Sequence, residues 1–185
     1  MKTLSSNTRV LSTLLVLLVP IVSLAATPST APKTGDMAAG GNLGFAAPLD
    51  GPFESVEPAI TGTFEYYTTP RISWRGLLGF TSFTADLPGD PSVDSMFLTA
   101  NFVYNWEHGK IHPFATAGLG AYFKNGSASL PPEFDETVLG ANAGGGIDWF
   151  LGPRWGLRFE GSIHGLAGED PNTFFLSTAG AVFWF

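Results

Sequence analysis

Residues 173–185 read TFFLSTAGAVFWF, and this stretch decides what kind of chain this is. Counting back in twos from the end gives Phe185, Phe183, Ala181, Ala179, Ser177 and Phe175. The offset set is Trp184, Val182, Gly180, Thr178, Leu176 and Phe174. A period of two is the signature of an extended strand with two distinct faces, and bulk collects on the first face near the end. Chain ends of soluble proteins usually fray into water. An end built from Val182, Phe183, Trp184 and Phe185 is therefore expected to be held in a sheet whose outer face meets an apolar medium.

The other end of the chain carries an export signature. Lys2 and Arg9 form a positive region, Val10 to Val22 is apolar and broken by Pro20, and Ser23-Leu24-Ala25 offers small residues for cleavage. Residues 1–25 thus read as a cleavable secretory signal, too short for a spanning helix. With no Cys in the sequence, lipid anchoring through a cysteine, disulfides and thiolate chemistry are excluded. Residues 26–38 read as a flexible lead-in and 39–185 as one domain. Beyond the leader no apolar run reaches the roughly 18 residues of a membrane helix.

Composition points the same way. There are 23 Gly, aromatics make up 14% and charged residues only 14%, against roughly 25% charged in an ordinary soluble domain. Without Lys2 and Arg9, 7 basic residues face 16 acidic ones, a net charge of −9. No basic cluster is available to neutralise phosphates, so nucleic acid is excluded as a partner.

Eight strands are predicted, at about 39–47, 57–67, 71–85, 94–106, 110–124, 137–151, 154–164 and 173–185. Their connections alternate strictly between short and long. The short ones are Thr68–Pro70, Glu107–Gly109 and Gly152–Pro153, and the long ones are Pro48–Val56, Asp86–Val93, Asn125–Glu136 and Gly165–Asn172. That alternation predicts an all-β fold, an eight-stranded antiparallel up-and-down transmembrane barrel with short periplasmic turns and longer outer loops. Trp74, Trp106, Trp149, Trp155 and Trp184 all fall near the short turns. They are expected to form a periplasmic aromatic girdle at the membrane–water interface. Eleven of the 16 acids lie in or beside the long connections, which hold no Lys or Arg. The plain reading, and the favoured one, is that solvated loops are simply polar; the sharper one is an acidic outer rim that recruits divalent cations bridging phosphates, although no spacing marks a defined metal site.

Strand parity sorts the remaining residues. In strand 7, Trp155, Leu157, Phe159, Gly161 and Ile163 oppose Arg154, Gly156, Arg158, Glu160, Ser162 and His164. A charge facing lipid at mid-depth costs about 2–4 kcal/mol. Glu65, Arg75, Asn101, Asp148, Arg158 and Glu160 are therefore expected to share a polar network in the lumen. Glu65 and Arg75 sit nearly symmetrically about the Thr69–Pro70 turn, a placement suited to cross-strand pairing. Gly118, Gly120, Gly140, Gly144, Gly146 and Gly180 mark places with little side-chain volume. An eight-stranded lumen is just wide enough for side chains to fill, which argues against a general diffusion pore.

The fragments FEYYTTPRISWRGLLGF, ANFVYNW, IHPFATAGLGAYF, LGANAGGGIDWFLGPRWGLRFEG and the terminal VFWF resemble the small OmpA/OmpX/Opa-like outer-membrane β-barrel family. The resemblance implies a Gram-negative outer-membrane location and contact with lipids and lipopolysaccharide. It also implies recognition of Phe183 and Phe185 by the barrel assembly machinery. The family serves adhesion, protection and structural roles, so fold does not give function. The leading expectation is a non-enzymatic surface protein without cofactor. Its loop 125–136, with Pro131, Pro132 and Phe134, is the candidate contact for an extracellular partner. One alternative is a lipid-modifying enzyme similar to the lipid A deacylase, centred on His164, Ser162 and Glu160. Same-face neighbours two apart stand about 6–7 Å apart at Cα, which argues against a Ser162–His164 pair. The other alternative is a soluble periplasmic ligand-binding barrel.

Overall fold

Period-two alternation persists through every strand because each has one face toward packed side chains and one toward the surroundings. The computed structural model describes residues 32–50, 56–84, 92–126, 136–167 and 173–185. Eight strands run in chain order: β1 Met37–Pro48, β2 Glu57–Tyr67, β3 Ile72–Thr84, β4 Ser92–Asn105, β5 Ile111–Gly126, β6 Glu136–Phe150, β7 Trp155–Leu166 and β8 Thr173–Trp184. Each pairs antiparallel with its neighbours, and β1 pairs with β8 to close the barrel. Closure leaves no unpaired edge, the condition for a sheet to sit in lipid.

Following cross-strand partners once round the barrel gives its stagger. The path from Ala38 runs through Glu65, Arg75, Asn101, Gly118, Asn142, His164 and Phe174 and returns to β1 at Pro48. The return lies ten residues above the start, so the shear is ten. This stagger tilts the strands and sets which inward side chains meet across the lumen.

The outward face is apolar. Leu43, Ile60, Phe64, Leu78, Phe80, Met96, Leu98, Leu119, Leu139, Phe159 and Ile163 are all exposed. Asp94, at the outer end of β4, is the only charged residue on the outward parity of the described strands. An apolar belt this continuous is a surface for lipid.

At the short-turn end the seam is closed by Met37 and Phe185, each N–H donating to the other's carbonyl at 2.9 Å. The first strand begins two residues before the sequence-based boundary. Part of the expected flexible lead-in is also tied down. Gly35, at φ +93°, donates its N–H to the Tyr67 carbonyl at 2.8 Å, and Asp36 Oδ2 accepts from Lys33 N–H at 2.8 Å. The positive φ explains the glycine, because a Cβ is disfavoured there.

Candidate functional site

The lumen is stacked in three layers. At the short-turn end, Ala38, Tyr67, Phe150, Val182 and Trp184 form an apolar plug. Trp184 stacks on Phe150 with ring centroids 4.3 Å apart, and its Nε1 donates to Tyr67 Oη at 3.2 Å. The His112 ring packs against this plug, its centroid 4.7 Å from that of Phe150. Trp184 is therefore a correction to the girdle. Trp74, Trp106, Trp149 and Trp155 point outward at 42–56% exposure, whereas Trp184 is 4% exposed. Parity is the reason: with Phe183 and Phe185 outward, the residue between them must face in.

The middle layer is ionic. Arg75 Nε donates to Glu65 Oε2 at 2.9 Å on neighbouring strands β3 and β2. Arg158 holds Asp148 with two bonds, Nε to Oδ1 at 2.7 Å and Nη2 to Oδ2 at 2.8 Å, on β7 and β6. These two cross-strand pairs lie on opposite walls and are joined through the lumen. Arg158 Nη2 donates to Glu65 Oε2 at 3.0 Å, and Arg75 Nη1 donates to Glu160 Oε2 at 2.9 Å. Both guanidinium groups lie over the Phe114 ring, at 4.7 and 5.2 Å from its centroid. A π face is one of the few apolar surfaces that welcomes a cation. Three carboxylates against two guanidiniums leave the cluster with a formal charge of −1.

Asn101 lies beside this cluster without joining its ion pairs. Its Nδ2 donates to Thr99 Oγ1 at 2.7 Å and to the Arg75 carbonyl at 3.3 Å. Sequence reasoning passed over Ser73, whose hydroxyl donates to Glu65 Oε1, and Asn105, which donates to Ser73 Oγ at 3.3 Å. It also passed over Phe114. Inward parity marks all three, but only the stagger shows that they reach the ions.

The outer layer is aromatic again, with Phe83, Phe97, Tyr122, Phe174 and Leu176 at its centre. His164 lies within it, stacked on Phe174 at 4.7 Å and 10°, and tilted against Phe97 at 5.3 Å. Its Nδ1 hydrogen-bonds Tyr122 Oη at 2.8 Å and its Nε2 hydrogen-bonds Ser162 Oγ at 3.0 Å. The Cα spacing thus does not keep Ser162 from His164, because the imidazole folds back along the strand. What the pair lacks is a carboxylate on Nδ1. Glu160 is engaged with Arg75 instead, and a tyrosine hydroxyl holds the orienting position.

Above this layer Lys124 Nζ, 2% exposed, pairs with Glu136 Oε1 at 3.3 Å. Asp50 Oδ1 accepts the Thr173 N–H at 3.1 Å, linking the outer ends of β1 and β8. The contact-loop residues Pro131, Pro132 and Phe134 lie outside the described residues, as does the leader. Among the described residues, no group of three His, Cys, Asp or Glu side chains is placed to hold a metal.

The glycines of the inner wall have a steric explanation. A Cβ on Gly118 would meet Asn101 Oδ1 at 2.1 Å, and one on Gly146 would meet the Phe159 carbonyl at 2.0 Å. Their absence of side chain lets neighbouring groups pack over the sheet.

A closed, staggered eight-stranded barrel with a lipid-suited exterior and a packed lumen defines a small transmembrane β-barrel of the bacterial outer membrane. The chain belongs to the outer membrane protein beta-barrel domain family, whose model matches residues 14–183. It is similar in structure to OprG of Pseudomonas aeruginosa, with a TM-score of 0.68 at 11% identity, covering 85% of this chain and 99% of that one. It is also similar to Neisserial surface protein A, with a TM-score of 0.62 at 13% identity, covering 81% of this chain and 96% of that one. Ail of Yersinia pestis, solved with the heparin analogue sucrose octasulfate, gives 0.56 at 13% identity, covering 82% and 99% of the two chains. No curated protein sequence matches this chain at a significant level. At these identities the likeness carries the fold alone.

Proposed function

We propose that this protein is a closed, non-enzymatic surface barrel that serves as a rigid stalk for acidic loops. The observation that supports it most is the lumen: an apolar plug below, a cross-braced ionic layer, and an aromatic layer above. Ions and small solutes would have to break these contacts to pass. Ser162 and His164 sit beneath Phe97 and Phe174 without a carboxylate on the histidine, which favours a packing role over hydrolysis. The work then falls to the outer rim.

Charge gives that rim its chemistry. The long connections hold acids and no Lys or Arg, and the Lys124 ammonium is buried against Glu136. Such a surface repels polyanions such as the octasulfate bound by Ail, and it attracts cationic groups or divalent ions shared with lipopolysaccharide phosphates. Recordings in planar bilayers test the closed lumen: no unitary conductance is expected, and steady single-channel steps would overturn it. Binding to lipopolysaccharide vesicles tests the rim. It is expected to require Ca²⁺ and to weaken when Asp86, Asp90, Glu133 and Asp135 are changed to amides.

A further inference from the structure

Buried polar atoms rarely lack a hydrogen-bond partner, because leaving one unpaired costs its desolvation. Among the described residues, Asn42 Oδ1, Arg75 Nη2, Asn101 Oδ1, Asn142 Nδ2, Arg158 Nη1 and Thr116 Oγ1 are all buried and unpartnered in the lumen. Every one of these residues is at least nine-tenths buried. Four of these atoms fall into two matching arrangements, each centred on a glycine.

The first arrangement spans β1, β8 and β7, where Asn42 pairs with Gly180 and Gly180 pairs with Arg158. The second spans β4, β5 and β6, where Asn101 pairs with Gly118 and Gly118 pairs with Asn142. In both, the asparagine amide leans over the glycine. Its Oδ1 would lie 2.4 Å from a Cβ on Gly180 and 2.1 Å from one on Gly118. In both, the amide nitrogen is already used: Asn42 Nδ2 donates to Thr61 Oγ1 at 3.1 Å, and Asn101 Nδ2 to Thr99 Oγ1 at 2.7 Å. Each glycine is thus flanked by an unpartnered acceptor on one side and an unpartnered donor on the other.

The two donors are what remains once the other bonds of each side chain are made. Arg158 spends Nε and Nη2 on Asp148 and Glu65, leaving Nη1. The Asn142 amide leans toward the Tyr122 hydroxyl without reaching hydrogen-bond geometry, and that hydroxyl is engaged with His164. Thr116 is the next inward residue below Gly118 on β5 and adds a third polar atom to that arrangement.

We propose that Gly180 and Gly118 mark two internal water sites. At each, one water accepts a hydrogen from Arg158 Nη1 or Asn142 Nδ2 and donates one to Asn42 Oδ1 or Asn101 Oδ1. At Gly118 the water also bonds Thr116 Oγ1. Two cross-strand steps separate donor and acceptor strands by about 10 Å at Cα, and the side chains on both strands point into the lumen over the glycine between them. The chemistry selects water. A metal ion needs acceptors alone and would face the Arg158 cation, whereas an anion needs donors alone and would face an amide oxygen. Water takes both roles, and two to four polar partners are what a buried water requires.

Water-edited solid-state NMR on the labelled full-length barrel in lipid bilayers tests the proposal. The Asn142 Nδ2 and Arg158 Nη1 protons are expected to receive magnetisation from water early. The Trp184 Nε1 proton, donated to Tyr67, serves as the dry reference. Silence at both Asn142 and Arg158 would overturn it. A second measurement is Thr116→Val, which keeps shape and removes the hydroxyl. If Thr116 bonds a water, the urea midpoint falls. A raised or unchanged midpoint means that the hydroxyl had no partner to lose and overturns the three-ligand site at Gly118.

Discussion

Replacing Arg158 by Met isolates what the ionic layer does for the fold. Arg158 is wholly buried and makes three bonds, two to Asp148 and one to Glu65. In Arg158→Met, Glu65 keeps Arg75 and Ser73. Asp148, whose carboxylate bonds go to Arg158, becomes a buried charge without a cation, and the cluster moves from −1 to −2. Breaking a buried pair by removing one partner costs about 3–5 kcal/mol, chiefly for the charge left behind. With a urea slope of about 2 kcal/mol per M, the unfolding midpoint in lipid vesicles should fall by about 2 M. Adding Asp148→Leu removes the stranded charge. The double variant should therefore recover most of the loss, with a coupling of about 2–3 kcal/mol. Glu160→Gln is the internal control. Glu160 has one ion pair, and Arg75 retains Glu65, so its cost should stay near 1 kcal/mol. The reasoning fails if Arg158→Met shifts the midpoint by less than about 0.5 M, or if the two substitutions simply add.

Other consequences are smaller in scope. Deleting Phe185 removes both backbone bonds to Met37 at the seam and should lower outer-membrane levels while export continues; undiminished assembly on fractionation would contradict this. Gly79→Ala would drive a Cβ to 2.1 Å from the Phe97 ring and should cost about 1–3 kcal/mol, whereas Gly41→Ala meets nothing within 4 Å and should be nearly neutral. Urea midpoints of the two variants decide that contrast. In single-Trp variants, brominated lipids should quench Trp74, Trp106, Trp149 and Trp155 but spare Trp184, which the plug encloses. Strong quenching of Trp184 would place it outward after all.

Much of this architecture was legible because strand parity and connection length are local properties. The alternation in β7 separated Arg158, Glu160, Ser162 and His164 from Trp155, Phe159 and Ile163, and the structure keeps that division. At Trp184 position and parity disagree: its place along the chain suggests the girdle, while its parity puts it in the lumen. The Ser162–His164 contact is invisible to Cα spacing, which says nothing of how an imidazole folds over its own strand.

By itself, then, the sequence determined the number of strands, their antiparallel order and the apolar outer face. Each follows from a period of two or from the length of a turn. Only the tertiary structure decided which inward residues meet across the lumen. Glu65 and Arg158 are 93 residues apart, and Arg75 and Glu160 are 85 apart. Their contact depends on a stagger accumulated over eight strand pairs, to which every register contributes. A slip of one residue at any pair would turn a face inside out. The ionic brace, the seat of Phe114 beneath two guanidiniums and the flanked glycines exist only once the barrel has closed.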